Sequence, residues 1–312
     1  MKKLIPLAAL LIFSTSCQSG KTPTEQPRTP LAEHLTHLDW NSRWKLADTV
    51  RLQFPTYHNQ GMVKVGEDYF LSSVNVQRWP KRFGETQDRR VADEGEGTGH
   101  LFKFDKNGKL IAEIRLDEGA AYHPGGIDYD GRYIWVPVTK YYPYSYSIVY
   151  RVDPETLQAE EVLRFDDSIG AIVHDTDRNA LIGANWGARE FLVWPLDSQG
   201  RVTNADKKAE ELRIPNPSFY IAAQDCKYLG SGLMFCSGLQ SFNQGEQTFR
   251  LGGFEVMNTR DFRMVYQIPI QLFSPGGVLM TNNPCTVEAT EDGVRAYFIP
   301  EDEQSTLYIY ET

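Results

Sequence analysis

YHPGGIDYDGRYIWVPV, residues 122–138, is a histidine and a glycine pair followed by a short strand, a tight Asp-Gly turn and a second apolar strand. Four other stretches share this outline: HNQGMVKVGEDYFLSSVN from His58, IGAIVHDTDRNALIGANW from Ile169, AAQDCKYLGSGLMFCSG from Ala222 and NNPCTVEATEDGVRAYFIP from Asn282. Five copies of one hairpin at intervals of roughly 45–65 residues fit the blades of a β-propeller better than any other repeat class. The expected fold is all-β, with the copies supplying strands A and B of five blades, counted from centre to rim.

The outer strands follow from alternation and turn chemistry. Copy one continues with His100–Asp105 and Lys109–Leu116 around Asp105-Lys106-Asn107-Gly108, and copy two with Ser147–Val152 and Glu160–Phe165 around Asp153-Pro154-Glu155-Thr156. Copy three gives Glu190–Leu196 and Glu210–Ile214; copy four gives Phe249–Met257 and Arg263–Ile268. Copy five ends after a single further strand, Thr306–Tyr310, while Trp44–Phe54 alternates as a strand with no hairpin of its own. Pairing the two closes the ring and removes an open edge. A six-bladed ring is the alternative, if Gln77–Gly99 hides a degenerate blade; its charges and weak strand pattern read instead as a long B–C loop.

The chain has 312 residues, 41% hydrophobic and 12% aromatic, enough for a sizeable core. Its formal net charge of -9, with no basic stripe, disfavours nucleic acid as a partner. Met1-Lys2-Lys3, the apolar run Leu4–Phe13 and Ser14-Thr15-Ser16 before Cys17 resemble a bacterial lipoprotein signal, with Cys17 as the lipidated residue; an ordinary secretory signal is the alternative. The run is too short to span a bilayer, so the expected membrane attachment is a lipid anchor only, at an extracytoplasmic site on a bacterial, outer, membrane. Residues 1–17 are then the signal, 18–40 a polar tether with a short helical turn at Leu31–Trp40, and 41–312 the propeller. Cys226 and Cys236 lie symmetrically about Ser231. They read either as a disulfide, which an oxidising compartment permits, or as two small buried side chains.

In a propeller, A strands start and B strands end on one face, so their side chains converge on the channel mouth. That geometry gathers His58, Gln60, Asn75, His123, Tyr141, Asn185, Trp186, Arg189, Gln224, Asp225, Asn282, Asn283 and Glu301. Amides with Trp and Tyr faces suit a neutral, hydroxyl-rich small molecule or glycan. Asp128, Asp130, Asp175, Asp177, Glu291 and Asp292 fall at the opposite ends of the hairpins, where acids cap turns. His58 and His123 precede corresponding strands of adjacent blades. They read as proton-transfer groups, as part of a metal site completed by Asp225 or Glu301, or as structural residues. An enzyme at this mouth would be a polysaccharide lyase with a His or Tyr base (His58, His123 or Tyr141) and a cation such as Arg189 or Lys140, or a metal-assisted hydrolase. A protein-interaction scaffold is the third reading.

HPGGIDYDGRYIWVPV, with YRVDPETL from Tyr150 and VHDT…ANWGAR between Val173 and Arg189, resembles a family of secreted bacterial β-propeller proteins of uncharacterised activity, over Tyr57 to Tyr310. More loosely, the GID-turn-YIWV hairpin is similar to those of olfactomedin-type and lactonase-type propellers. The latter likeness implies a divalent cation such as calcium, held here by Asn185, Asp225, Asn282 and Glu301.

Overall fold

The computed structural model describes residues 27–39, 41–82 and 91–312. The signal segment, Cys17 and residues 18–26 of the tether lie outside the described residues. Five four-stranded antiparallel blades form the ring. Blade 1 is His58–Val65, Asp68–Arg78, Glu96–Phe104 and Leu110–Arg115. Blade 2 is Ala121–Pro124 (continued by Asp128–Tyr129), Ile134–Lys140, Ser147–Val152 and Ala159–Phe165. Blade 3 is Ile169–Asp175, Ala180–Asn185, Glu190–Pro195 and Ile214–Pro215; blade 4 is Ala222–Gly230, Leu233–Gln244, Gln247–Asn258 and Met264–Pro269. Blade 5 takes Cys285–Ala289, Val294–Phe298 and Thr306–Glu311 from the end of the chain and Lys45–Arg51 from its beginning, so five blades and strand closure both hold. The closing register runs from Lys45 opposite Glu311 to Arg51 opposite Thr306.

Each seam between neighbouring blades carries its own apolar core. Met62, Leu71, Phe102, Phe104, Tyr297 and Leu307 fill the seam between blades 5 and 1, and Val63, Phe70, Ile127, Ile134 and Val136 that between blades 1 and 2. Trp135, Val149, Ile172, Leu181 and Trp194 join blades 2 and 3; Val173, Ile182, Phe191, Met234 and Met257 join blades 3 and 4. The last seam holds Phe235, Phe254, Val287 and Phe298, together with Ala32, Leu35 and Leu38 from the N-terminal arm. That arm forms a helix, Pro30–His37, rather than a single turn; Thr29 caps it by accepting the Ala32 N–H, and Pro30 starts it where no amide hydrogen is required.

The glycine pair of the HPGGID motif has a packing reason. At the axis the A strands approach backbone to backbone: Gly126 N–H donates to Gly170 O, and Ile172 N–H to Gly126 O. A Cβ on Gly125 would sit 2.2 Å from Gly170 O, and one on Gly126 would sit 2.7 Å from Gln224 O. Only hydrogen fits there.

The structure departs from the sequence reading in three places. Gln77–Gly99 is no simple loop, because blade 1's B strand runs on to Arg78, its C strand starts at Glu96, and a small ribbon pairs Lys81–Arg82 with Val91–Asp93. Leu239–Thr248, which reads from sequence as the B–C loop of copy four, likewise continues the B and C strands of blade 4, in register out to Gln244 opposite Gln247. Both extensions are exposed on two faces, so the alternation that marks a half-buried strand is missing. In blade 3, Ala209–Leu212 is a short helix and the outer strand shrinks to Ile214–Pro215; Ala-Glu-Glu-Leu favours helix. Cys226 and Cys236 stand opposite one another in register and are bonded as a disulfide.

Candidate functional site

The A-strand starts and B-strand ends of neighbouring blades build a cavity of about 250 Å³ at the channel mouth, lined by His58, Gln60, His123, Tyr141, Trp186 and Gln224, with Thr139, Gly170, Gly187, Ala222 and Ala223. His58 opens blade 1's A strand, and His123 lies in blade 2's opposite Thr139. Tyr141 follows blade 2's B strand, and Trp186 opens the single 3₁₀ turn Trp186–Ala188 after blade 3's. The rings form a continuous row. His123 stacks on Tyr141 at 4.0 Å between centroids; Trp186 lies 5.6 Å from Tyr141, and His58 lies 6.1 Å from His123. On the floor, Gln224 Nε2 donates to Gln60 Oε1 at 2.6 Å.

The two histidines differ in chemistry. His123 is only 6% exposed, and neither ring nitrogen has a hydrogen-bond partner. Burial, reinforced by His58 nearby, pushes its pKa well below 6.5, so it is neutral at pH 7. His58 Nδ1 lies 3.0 Å from Asp302 Oδ2. A carboxylate only accepts, so this contact puts the proton on Nδ1 and leaves Nε2 as the basic nitrogen. Asp302 is itself positioned by Asn283 Nδ2 at 2.8 Å and the Asn59 amide at 3.3 Å.

Asp302 is absent from the sequence-derived set, although it lies one residue past Glu301. Trp79 is the second omission: the extended blade 1 hairpin carries it to 5.5 Å from Tyr141, where it is 61% exposed. Glu94 is the third. It accepts from Lys140 Nζ and from Tyr142, and the lysine holds its carboxyl below the usual range.

The remaining expected residues stand elsewhere. Asp225 is fully buried below the cavity, paired with Lys227 and accepting the Met62 and Ile127 amides. Asn185 is consumed locally, accepting the Arg189 and Glu190 amides and donating to Glu190 Oε2. Arg189 donates to the carbonyls of Gly187, Ser218 and Ile221, which ties loop 217–221 to blade 3. Asn282 and Asn283 both donate to Pro300 O, and Glu301 Oε1 accepts from Tyr308. Asn75 pairs through its strand with Thr98 and does not line the cavity.

These placements bear on the cation and metal readings. Arg189 and Lys140 are already committed, and among the described residues no Lys or Arg lines the cavity to hold a uronate carboxylate. Asn185, Asp225, Asn282 and Glu301 Oε1 are engaged in separate structural contacts, while Glu301 Oε2 is buried without a partner, so the four do not present a common set of free donors to a calcium ion. Among the described residues, no three His, Cys, Asp or Glu side chains cluster to hold a metal. Of the acids expected at turns, Asp130 accepts the Arg132 and Tyr133 amides, Trp135 Nε1 and His174 Nδ1; Asp128 caps no turn but is buried, accepting the His174 and Tyr228 amides of blades 3 and 4. His100 packs between Tyr57 and Phe102, with Nδ1 on Glu113.

Among solved structures, the chain is similar to glutaminyl cyclase of Myxococcus xanthus at 11% identity, covering 86% of this chain and 96% of that one, with a TM-score of 0.49. It is also similar to an α-L-arabinofuranosidase of Clostridium thermocellum at 12% identity, covering 80% and 88%, with a TM-score of 0.44. A tail fibre of Staphylococcus aureus phage P68 matches at 9% identity, covering 86% of this chain and 52% of that one, with a TM-score of 0.49. No curated protein sequence matches the chain. One family model matches nearly its whole length, residues 26–312, and the chain belongs to that family of unknown function, DUF6454.

Proposed function

We propose that this protein is an extracytoplasmic, lipid-anchored propeller that binds a neutral, hydroxyl-bearing ring of carbohydrate type in the mouth cavity. The observation that carries this reading is the aromatic row of His123, Tyr141 and Trp186 standing beside the Gln60–Gln224 amide pair in the lining of one cavity. Tyr141 and Trp186 offer faces to the C–H side of a ring, and Gln60 and Gln224 offer both donors and acceptors. The cavity is smaller than the roughly 300 Å³ that begins the range for drug-sized ligands, and suits one ring. The location rests on the lipoprotein-type run ending at Cys17, and a disulfide suits an oxidising compartment.

A second reading, turnover at the same site, is favoured by the Asp302–His58 contact, in which a carboxylate orients an imidazole whose Nε2 can take a proton. Among the described residues the lining holds no Lys or Arg and no pair of carboxylates, the groups that uronate elimination and two-carboxylate glycoside hydrolysis would use.

A glycan panel tests both readings, with thermal shift and product analysis read on the same samples. Binding at 100 times Kd adds about 2.7 kcal/mol of stability. A shift without products supports the binding site, and products lost in His58→Ala but not in a surface control support catalysis. No shift with any glycan removes the proposal and leaves the scaffold reading.

A further inference from the structure

The mouth cavity is not closed at Trp186. Beyond it a second cleft of about 470 Å³ runs outward over blades 3 and 4, and Trp186, Gly187 and Ala222 line both spaces. Tyr144, Arg189, Phe219, Gln240 and Phe242 complete its principal walls. Two of these rings are unusually exposed for phenylalanine, Phe219 at 76% and Phe242 at 49%. Each forgoes the stabilisation that burying an aromatic ring would give.

Their exposure is not that of a loose loop. Arg189 holds loop 217–221 by donating to Ser218 O and Ile221 O, and its guanidinium lies 5.3 Å from the Phe219 ring. Phe242 stands on the extended blade 4 hairpin, directly opposite Phe249. Tyr144 is held by its amide on Ser168 Oγ and by Arg213, 5.0 Å from its ring. Apolar faces presented on fixed backbone beside a site mark a surface that meets a ligand.

We infer that the ligand is an oligosaccharide of at least two rings, one seated in the mouth against His123, Tyr141 and Trp186, the next lying in the outer cleft against Phe219 and Phe242. This rests on the carbohydrate reading of the mouth. Trp186 stands at the junction, so successive rings meet successive aromatic faces, with the Arg189 guanidinium lying against Phe219. Gln240 supplies a polar contact beside them, as hydroxyls require. Arg189, read from sequence as a catalytic cation, acts instead as the positioning residue for Phe219.

The test is calorimetric titration of the purified protein with glucose, galactose and mannose and with their linear di-, tri- and tetrasaccharides. Wild type is compared with Phe219→Ala and Phe242→Ala; both side chains are exposed, and an unchanged unfolding midpoint verifies the fold of each variant. The wild-type trisaccharide is expected to bind at least about tenfold more tightly than its monosaccharide. Each variant should lose about tenfold on the trisaccharide while keeping monosaccharide affinity within about twofold. Equal affinity for mono- and trisaccharide, or a chain-length gain that survives both substitutions, overturns the outer subsite and leaves the mouth site standing. No binding of any sugar at any length overturns the mouth reading, and the subsite with it.

Discussion

Replacing Lys227 by methionine should destabilise the propeller by an amount that depends strongly on pH. Lys227 is the one ammonium against two buried carboxyls: it pairs with Asp225 and donates to Ile127 O at 2.7 Å, and its charge also reaches Asp128. Asp225 and Asp128 are 0% and 2% exposed. Burial raises their pKa values from 3.8 to about 6 and about 7, against the opposing pull of Lys227. With raised folded-state values, their contribution to stability is fully present below pH 3.8 and is lost as pH rises through about 6 and about 7. At pH 5 both are already protonated in the folded state, so the methionine removes hydrogen bonds alone, about 1–2 kcal/mol. At pH 8 it strands buried carboxylates, at about 3–5 kcal/mol. His123 has a depressed pKa and so titrates with the opposite sign, its stability lost as pH falls below 6.5; it is common to both proteins and cancels in the difference. The assay is urea unfolding at pH 5 and pH 8, followed by fluorescence and circular dichroism. An equal loss at the two pH values, or a larger one at pH 5, would refute the argument that Lys227 holds ionised carboxylates at the axis.

Three further outcomes follow from the same coordinates. His123→Phe should leave the unfolding midpoint unchanged or raise it by up to about 1 kcal/mol equivalent, because two unpaired buried nitrogens disappear. Gly126→Ala should cost more than about 2 kcal/mol in denaturant unfolding, because the new methyl must enter the space of Gln224 O, the Ala171 Cβ and the Asp225 Cα. Replacing both Cys226 and Cys236 by serine should cost about 2–3 kcal/mol, the chain-entropy value for cross-linking residues ten apart, read as a lower midpoint under non-reducing conditions.

The repeat was legible because blade centres are built from contrast. Apolar strands such as Ile134–Lys140 flank turns rich in Asp and Gly, and the A strands need glycine where backbones touch. The rim lacks that contrast. Strands exposed on both faces, like the far ends of Asp68–Arg78 and Leu233–Gln244, carry polar residues throughout and look like loops. At the mouth, His58, Gln60, His123, Tyr141, Trp186 and Gln224 could be gathered because strand starts and ends suffice to place them. Whether a polar side chain faces the cavity or its own backbone was not legible. Asn185, Arg189 and Asn283 satisfy carbonyls, amides or carboxylates within a few ångströms, a choice made by local backbone geometry. Asp302 was passed over in a run of acids, because its importance comes from a histidine 244 residues away in sequence.

The seal between Lys45–Arg51 and Thr306–Glu311 also sets a schedule for the nascent chain. The strand made early must remain unmatched while more than two hundred and fifty residues are synthesised, and four blades can assemble before its partner emerges. Until then Val294–Phe298 offers a bare edge to any other strand nearby, so translation stalled before residue 306 would yield a sticky, unfinished ring.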